Sequence, residues 1–246
     1  HVKNVQRTIY RAGLGIDDIV LSVVAIGDVV CTRRQKELGV VVVNMGGATT
    51  SLVVYENGDL IHSAVLPIGS EHITNDLALG LRASIDTAET IKIQYGQCNY
   101  KLVNKKDKIT IESSDGGKEL IPLRYIAEII NARVVEILER VDKELNVIGK
   151  SGLLPSGAIF TGCGAKILGL TEVAKEALRL PVTLGYPIDV PSISPYSNDL
   201  SFVGAIGLVK WGTNVYRSGS ERKEMISGTM SKIWRQLRKI WQWLIP

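Results

Sequence analysis

A run of four valines followed by a glycine turn constrains the fold of this 246-residue chain more than any other feature. Gly39–Asn44 reads GVVVVN, and a β-branched run without polar alternation is typical of a strand that is buried on both faces. A double glycine then interrupts the run. Two more strands are predicted over Thr49–Tyr55 and Leu60–Pro67, joined by the hairpin turn signal Asn57-Gly58-Asp59. The chain therefore starts its main sheet with three consecutive strands.

Helical and strand patterns alternate along the rest of the chain, which predicts an α/β fold. A charged loop is expected at Arg33–Glu37, and a small antiparallel sheet is expected between Cys98 and Ile121. The other predicted strands are Ile19–Ala25, Ala158–Phe160 and Pro181–Gly185. Helices are predicted over residues 2–13, Ser70–Leu81, Ser84–Tyr95, Leu123–Leu145, Leu170–Leu178 and, as a buried helix, Phe202–Trp211.

Composition and charge argue against nucleic-acid binding and indicate the cellular setting. The net charge of +4 comes entirely from the last seventeen residues, which hold four cations and no anion. A nucleic-acid-binding body would carry a basic patch at domain scale, so no nucleic-acid partner is expected. The three cysteines lack metal-ligand spacing, which predicts a reduced, cytoplasmic setting. The first residue is His1 rather than methionine, and we expect a preceding portion to be missing from this sequence.

The closing segment Met230–Pro246 is the second distinctive feature of the chain. Its apolar residues recur at spacings of three and four, so a helix here has one apolar stripe with cations beside it. The segment is too short and too charged to span a bilayer, which takes about 20 apolar residues. Such a helix is typical of an anionic membrane surface, and a groove on a partner protein is the alternative. The predicted membrane-binding residues are Ile233, Trp234, Leu237, Ile240, Trp241 and Leu244 on the apolar side and Lys232, Arg235, Arg238 and Lys239 on the basic side.

Two glycine turns follow predicted strands, and they are the candidate ligand-binding loops. Asn44–Thr50 reads NMGGATT and Thr161–Ala165 reads TGCGA. Glycine lets backbone N–H groups approach an anion closely, and threonine hydroxyls add donors. Two such turns in one α/β chain predict a nucleotide between them, although either turn alone is also common as a plain tight turn. Neither turn has the P-loop pattern or the spacing of a dinucleotide-binding fingerprint.

The order of these segments resembles the actin, Hsp70 and sugar-kinase superfamily. Gly39–Leu52 resembles its second phosphate loop, and Ile159–Gly169 resembles its adenosine motif. Residues 69–96 resemble its first connecting helix and the helix that contacts the nucleoside, and Phe202–Gly212 resembles its second connecting helix. Within the superfamily the chain resembles the FtsA family of bacterial actin homologues, on the runs RAGLGIDDIVLSVVA, IKIQYG and AEIINARVVEIL and on the closing helix.

This resemblance implies an actin-like ATPase fold of the ribonuclease H-like type. The expected architecture is a mixed sheet with flanking helices, a smaller α+β subdomain and a C-terminal amphipathic helix. The family's first phosphate loop and an inserted subdomain would lie upstream of His1. The implied division is a remnant of a first domain at 1–38, a second-domain core at 39–96 and 158–212, an inserted subdomain at 97–157, a flexible linker at 213–229 and the membrane helix at 230–246.

The resemblance also implies ATP and Mg²⁺ as cofactors. Asn44 departs from the aspartate that is usual at its position, which removes a negative charge beside the metal and implies weaker metal affinity and at most weak ATPase activity. An ordinary surface ion pair stays open as the alternative for Glu89 and Lys92. The implied nucleotide-binding residues are Gly46, Gly47, Thr49 and Thr50 at the phosphates, Glu89 and Lys92 at the nucleoside, and Gly162, Gly164, Ala165 and Lys166 at the adenosine side, with Asn44 towards the metal.

The implied function is a scaffold that tethers the cell-division ring to the cytoplasmic side of the membrane at the septum. The implied partners are the C-terminal tail of FtsZ, other copies of the chain in filaments, and the anionic membrane. Arg133 and Arg140 share one face of their helix and are the candidates for an acidic peptide, whereas Arg124 lies on another face. Two alternatives stay open, a PilM-like pilus-assembly homologue, which lacks such a tail, and a small-molecule kinase, which needs a catalytic carboxylate and a sugar pocket.

Overall fold

A five-stranded mixed sheet forms the centre of the computed structural model, which describes residues 2–112, 117–190 and 198–214. The strand order is β3-β2-β1-β6-β7, and β4 and β5 form a separate two-stranded sheet. The first three strands are antiparallel neighbours, while β6 and β7 continue the sheet parallel to β1. The strands are β1 (Val40–Met45), β2 (Thr50–Glu56), β3 (Asp59–Leu66), β4 (Lys108–Glu112), β5 (Lys118–Pro122), β6 (Ala158–Thr161) and β7 (Val182–Leu184).

Helices cover both faces of the central sheet. One face packs against α4, α6 and α7, and the other packs against α2 and the start of α8. The predicted bounds of α4 and α7 agree with the structure, and α5 begins one residue after its cap Ser84, whose Oγ accepts a hydrogen bond from the Thr87 N–H at 3.1 Å. The helices are α1 (Val2–Arg11), α2 (Ser22–Val30), α3 (Arg33–Leu38), α4 (Ser70–Leu81), α5 (Ile85–Tyr95), α6 (Leu123–Val147), α7 (Leu170–Leu178) and α8 (residues 203–214).

The valine run of β1 confirms the prediction of a strand buried on both faces. Val41 and Val43 join the core on the α4 face, while Val40 and Val42 join the core on the α2 face. All four side chains are fully buried. Successive strand residues point to opposite faces, so a run without polar alternation builds two cores at once. This burial stabilises the fold by about 1.5–3 kcal/mol for each valine.

Two predictions at the start of the chain are wrong. Ile19–Ala25 is not a strand, because Ser22–Val30 forms α2 and places Val23, Ile26 and Val29 against the sheet. A short apolar run has no decisive period, and the described residues offer no neighbouring strand with which it pairs.

Arg33–Glu37 is not a loop, because Arg33–Leu38 forms α3 behind a capping box. The Thr32 hydroxyl accepts a hydrogen bond from the Gln35 N–H at 3.2 Å, and the Gln35 side chain accepts one from the Thr32 N–H at 2.9 Å. The sequence signal of this box, Thr-x-x-Gln, was present in the chain.

The Asn-Gly hairpin turn between β2 and β3 is confirmed. Asn57 and Gly58 both have positive φ, as the tight hairpin turn requires. Their N–H groups donate to the carbonyl oxygens of Glu37 and Lys36 at 3.0 and 3.1 Å. The turn therefore satisfies the open carbonyls at the end of α3 as well as reversing the chain.

The long helix α6 buries one apolar face. Ile129 is only partly buried, whereas the other large apolar residues of this face are fully enclosed, namely Ile126, Ile130, Val134, Ile137, Leu138, Val141 and Leu145. The β4–β5 hairpin contributes Ile111 and Ile121 to the core that also contains α4 and α7. The predicted subdomain 97–157 therefore shares a continuous core with the rest of the chain, and its boundaries stay a prediction.

The helix predicted at Phe202–Trp211 is present as α8, but its predicted burial is wrong. Only Val203 and Gly207 are buried, whereas Leu208 and Val209 are exposed. Gly207 lies against the backbone of Ala25, where a Cβ would come within 2.6 Å of the Ala25 carbonyl oxygen. Residues 213–214 of the predicted linker are helical, and the rest of that linker and the membrane helix Met230–Pro246 lie outside the described residues.

None of the helices in the described part of the chain is both long and apolar enough to cross a bilayer.

Candidate functional site

The two glycine turns meet at one edge of the central sheet. β1 and β6 are parallel and adjacent, with Asn44 opposite Thr161, so both strands end at the same edge. A Cβ placed on Gly162 would lie 2.5 Å from the Met45 carbonyl oxygen and 2.6 Å from Asn44 Oδ1. A Cβ on Gly164 would lie 2.7 Å from Met45 Cγ. Glycine is therefore required at both positions for the second turn to approach the first.

The N-terminus of α4 is joined to the first turn. The N–H groups of Ser70 and Glu71 donate to the carbonyl oxygens of Gly46 and Gly47, both at 2.9 Å. A side chain at Gly69 would overlap with the same two carbonyl oxygens. The positive end of a helix of twelve residues is thereby held beside the turn that was predicted to bind phosphate.

The two threonines of the first turn have different environments. Thr49 is exposed, so its hydroxyl is available to a ligand. Thr50 is fully buried, and its Oγ1 donates to the Ile68 carbonyl oxygen at 2.8 Å. The Thr50 hydroxyl therefore holds the connection between β3 and α4, and its predicted contact with phosphate stays a prediction.

Glu89 and Lys92 lie beside the glycine turns rather than forming an isolated surface pair. Lys92 Nζ lies 2.6 Å from Glu89 Oε2 and donates to the Thr74 hydroxyl at 2.8 Å and to the Ser70 carbonyl oxygen at 3.3 Å. The Lys92 side chain is 10% exposed and that of Glu89 is 42% exposed. Burial raises the pKa of Glu89, but hydrogen bonds from Lys92 and Thr74 and the charge of Lys92 outweigh it and hold that pKa below its usual value.

The predicted adenosine side is a short 3-10 turn after β6. Gly164 and Ala165 are buried in this turn, so Ala165 offers a ligand no exposed side chain. Lys166 is half-exposed, and its Nζ lies 2.5 Å from Asp199 Oδ1. This hydrogen bond is the main reason that the pKa of Asp199 is lowered. Lys166 therefore ties the turn to the segment that precedes α8.

Sequence reasoning missed two groups at this site. The Thr161 hydroxyl is fully buried at the end of β6 and has no hydrogen-bond partner among the described residues. Buried polar groups rarely stay unpaired, so this oxygen marks a place where a ligand or water completes the site. The second missed group is the carboxylate of Glu71. It lies against the first glycine turn, since a Cβ on Gly47 would be 2.6 Å from Glu71 Oε1. Only the tertiary contact reveals either group.

The arrangement fits a nucleotide better than it fits a protein-bound metal. Two glycine turns and the exposed Thr49 supply donors of the kind that phosphates accept, and the dipole of α4 adds positive potential beside them. The described residues contain no group of three or more His, Cys, Asp or Glu side chains that could hold a metal ion. Asn44 offers only a neutral amide oxygen, so the chain's own contribution to a Mg²⁺ site is weak.

The two candidate partner-binding arginines differ in their contacts on α6. Arg133 makes a bidentate pair with Asp76 of α4 at 2.6 and 2.8 Å and also contacts Glu136 at 2.5 Å. The hydrogen bond to Asp76 is the main reason that the pKa of Arg133 is raised. Arg140 contacts Glu136 at 2.7 Å and is 48% exposed. Arg133 therefore joins α6 to α4, and Arg140 is the more accessible of the two.

The sheet, its flanking helices and the paired glycine turns define an actin-like fold. Solved structures with this likeness include MreB5 of Spiroplasma citri bound to ADP, with a TM-score of 0.71 and 16% identity over 89% of this chain and 67% of that chain. The PilM–PilN type IV pilus biogenesis complex matches with a TM-score of 0.65 and 19% identity over 86% of this chain and 57% of that chain. At these identities the likeness shows the fold alone.

The chain belongs to the cell division protein FtsA family, whose family model matches residues 41–207. It is 33% identical to FtsA of Pseudomonas aeruginosa over 88% of this chain and 52% of that protein. It is 37% identical to FtsA of Neisseria meningitidis over 85% of this chain and 51% of that protein. The chain thus spans about half the length of the curated relatives it matches. Family membership favours the FtsA-like prediction over the pilus-assembly and kinase alternatives.

Proposed function

We propose that this chain binds ATP between its two glycine turns and serves as an actin-like scaffold that tethers the FtsZ ring to the membrane. The observation that carries the nucleotide proposal is the contact between the turns, where Gly162 leaves no room for a Cβ beside Met45 and Asn44. Two loops that approach this closely at the ends of adjacent parallel strands place their backbone groups at one shared site. MreB5 of Spiroplasma citri, which has the same fold, has been solved bound to ADP and to AMPPNP, and this supports the same use of the fold here.

Within this proposal the chain binds ATP but hydrolyses it slowly at most. The first turn and the start of α4 hold the phosphates, and the Glu89–Lys92 pair contacts the nucleoside. Magnesium supplies charge neutralisation at the phosphates when it is bound. Asn44 would offer the ion a neutral amide oxygen, and Glu71 places a carboxylate beside Gly47. Glu71 disfavours phosphates that carry no metal, because like charges repel at close range.

Replacing Lys92 with glutamine tests the nucleotide site. We expect the affinity for a fluorescent ATP analogue to fall at least about tenfold, because a charge-assisted hydrogen-bond network of about 1.5–3 kcal/mol per bond is lost. The matched control is Lys36→Gln, since Lys36 is also mostly buried and also pairs with one carboxylate, Asp28 at 2.5 Å. Lys36 lies far from the turns, beside the β2–β3 hairpin. Equal losses of affinity in both variants would contradict this site.

The proposed scaffold self-associates, which multiplies weak membrane contacts along a filament. One amphipathic helix binds a membrane reversibly, and linking many of them raises the overall affinity without any new contact. Another protein of the same fold, MamK, has been solved as a double helical filament, with a TM-score of 0.57 and 15% identity over 80% of this chain and 63% of that chain. The cytoplasmic side of the membrane at the septum is the proposed location.

The FtsZ tail is proposed to bind along α6 near Arg140. Replacing Arg140 with alanine is expected to weaken binding of an FtsZ tail peptide about twofold to fivefold at low salt, because one exposed charge contact is lost. Arg124→Ala is the matched control, since each arginine pairs with a glutamate four residues away on α6, Arg124 with Glu128 and Arg140 with Glu136. Fluorescence anisotropy of the labelled peptide measures both. An Arg124 effect as large as that of Arg140 would contradict a binding face at Arg140.

A further inference from the structure

A buried hydroxyl joins the phosphate and nucleoside sides of the candidate site. Thr74 lies on α4 and is 3% exposed. Its Oγ1 accepts a hydrogen bond from Lys92 Nζ at 2.8 Å and lies 2.5 Å from Glu89 Oε2. An ammonium can only donate and an ionised carboxylate can only accept, so the hydroxyl between them points its proton at Glu89. The Ser70 carbonyl oxygen is a second acceptor for this hydroxyl, but at 3.4 Å it is much farther away than Glu89 Oε2.

The network continues from Thr74 to the first glycine turn. Lys92 Nζ also donates to the Ser70 carbonyl oxygen at 3.3 Å, and the Ser70 N–H donates to the Gly46 carbonyl oxygen at 2.9 Å. The chain of contacts thus runs from Glu89 on α5, through Thr74 and Lys92, to the turn that follows β1. The nucleoside side and the phosphate side of the candidate site are thus joined by direct contacts.

We propose that Thr74 is a positioning residue of the nucleotide site, holding Glu89 and Lys92 in the geometry that receives the nucleoside. The proposal rests on the proposed nucleotide-binding function. Thr74 fixes Oε2 of Glu89 through its hydroxyl. The other carboxylate oxygen, Oε1, has no hydrogen-bond partner among the described residues. The Glu89 side chain is 42% exposed, so a ligand can reach it. Oε1 is then the acceptor for a hydroxyl or amino group of the nucleoside.

Ionisation of Glu89 gives this role a signature in pH. Lys92 is the charged group that acts on Glu89 in the described structure, and together with the Thr74 hydroxyl it lowers the pKa of Glu89 against the raising effect of burial. The folded-state pKa is thus below the unfolded one. In the folded chain Glu89 is ionised above this lowered pKa, so a nucleotide contact that needs the carboxylate is present there and is lost as pH falls through that pKa.

Thr74→Val and Thr74→Ser test this role through the pH dependence of nucleotide binding. Valine keeps the shape but removes the hydroxyl, so we expect affinity for the fluorescent ATP analogue to fall about threefold to tenfold at neutral pH. The acid limb of the binding curve is expected to move to higher pH, because one group that lowers the pKa of Glu89 is gone. Serine keeps the hydroxyl and should retain the wild-type curve.

Each outcome of this experiment decides one question. Loss of affinity in Thr74→Val without a shift of the acid limb means a structural role and overturns the inference, as does a wild-type curve in that variant. Loss in Thr74→Ser equal to that in Thr74→Val also overturns it, because the hydroxyl is then not what matters. A wild-type chain that binds no nucleotide at any pH overturns the proposed function itself. Thermal unfolding of each variant shows whether it is folded during the titration.

Discussion

Replacing Gly162 with alanine is expected to lower the free energy of unfolding by about 3 to 5 kcal/mol. Gly162 has φ 91° and ψ 169°, a backbone region that is almost exclusive to glycine. The new Cβ would also lie 2.5 Å from the carbonyl oxygen of Met45, the last residue of β1. Strain and steric overlap therefore add, and β1 and the second turn are pushed apart. Urea unfolding followed by circular dichroism measures the change.

Gly58→Ala is the matched control for that result. Gly58 also has a positive φ, of 87°, but a Cβ there meets no atom within 4 Å. Only the backbone strain remains, so we expect a cost of about 1 to 2 kcal/mol. The difference between the two variants reports the contact between the glycine turns. If Gly58→Ala proves as costly as Gly162→Ala, the turns are not in contact as described.

Replacing both Trp234 and Trp241 with glutamate is expected to abolish binding to anionic vesicles. A tryptophan buries about 150–250 Å² when it leaves water, at about 25 cal/mol for each Å². Both residues fall on the apolar stripe of the predicted closing helix, and each substitution also places a negative charge against anionic headgroups. Co-sedimentation with phosphatidylglycerol-containing liposomes at two salt concentrations measures the loss.

Trp241→Glu and Trp243→Glu form a matched pair of single variants for the same test. Trp243 is nine residues from Trp234, which places it about 180° away on a helix and off the apolar stripe. We expect Trp241→Glu to weaken vesicle binding at least about tenfold and Trp243→Glu to weaken it much less. Equal effects would exclude a helix lying on the membrane with the predicted stripe inward. Nucleotide affinity should be the same in both variants.

The site was only partly predictable from the sequence. The glycine turns were recognisable by residue type, whereas their meeting at one sheet edge depends on the parallel pairing of β1 with β6. The Thr50 hydroxyl was assigned to phosphate because its residue type fits, but in the folded chain it donates to the Ile68 carbonyl oxygen. The Thr161 and Thr74 hydroxyls gave no local signal, since each matters only through neighbours that are distant in the sequence.

Local chemistry therefore determined much of the fold, and tertiary packing decided the rest. The valine run, the Asn-Gly turn and the apolar period of α6 specify their elements through interactions within a few residues. The apolar segment around Ser22–Val30 suits a strand or a helix equally, and packing against the sheet decided for a helix. The folded chain also decides which surfaces meet. This explains why Arg133 pairs with Asp76, why Thr74 is buried and why much of α8 is exposed. These energies arise between segments, so no local pattern encodes them.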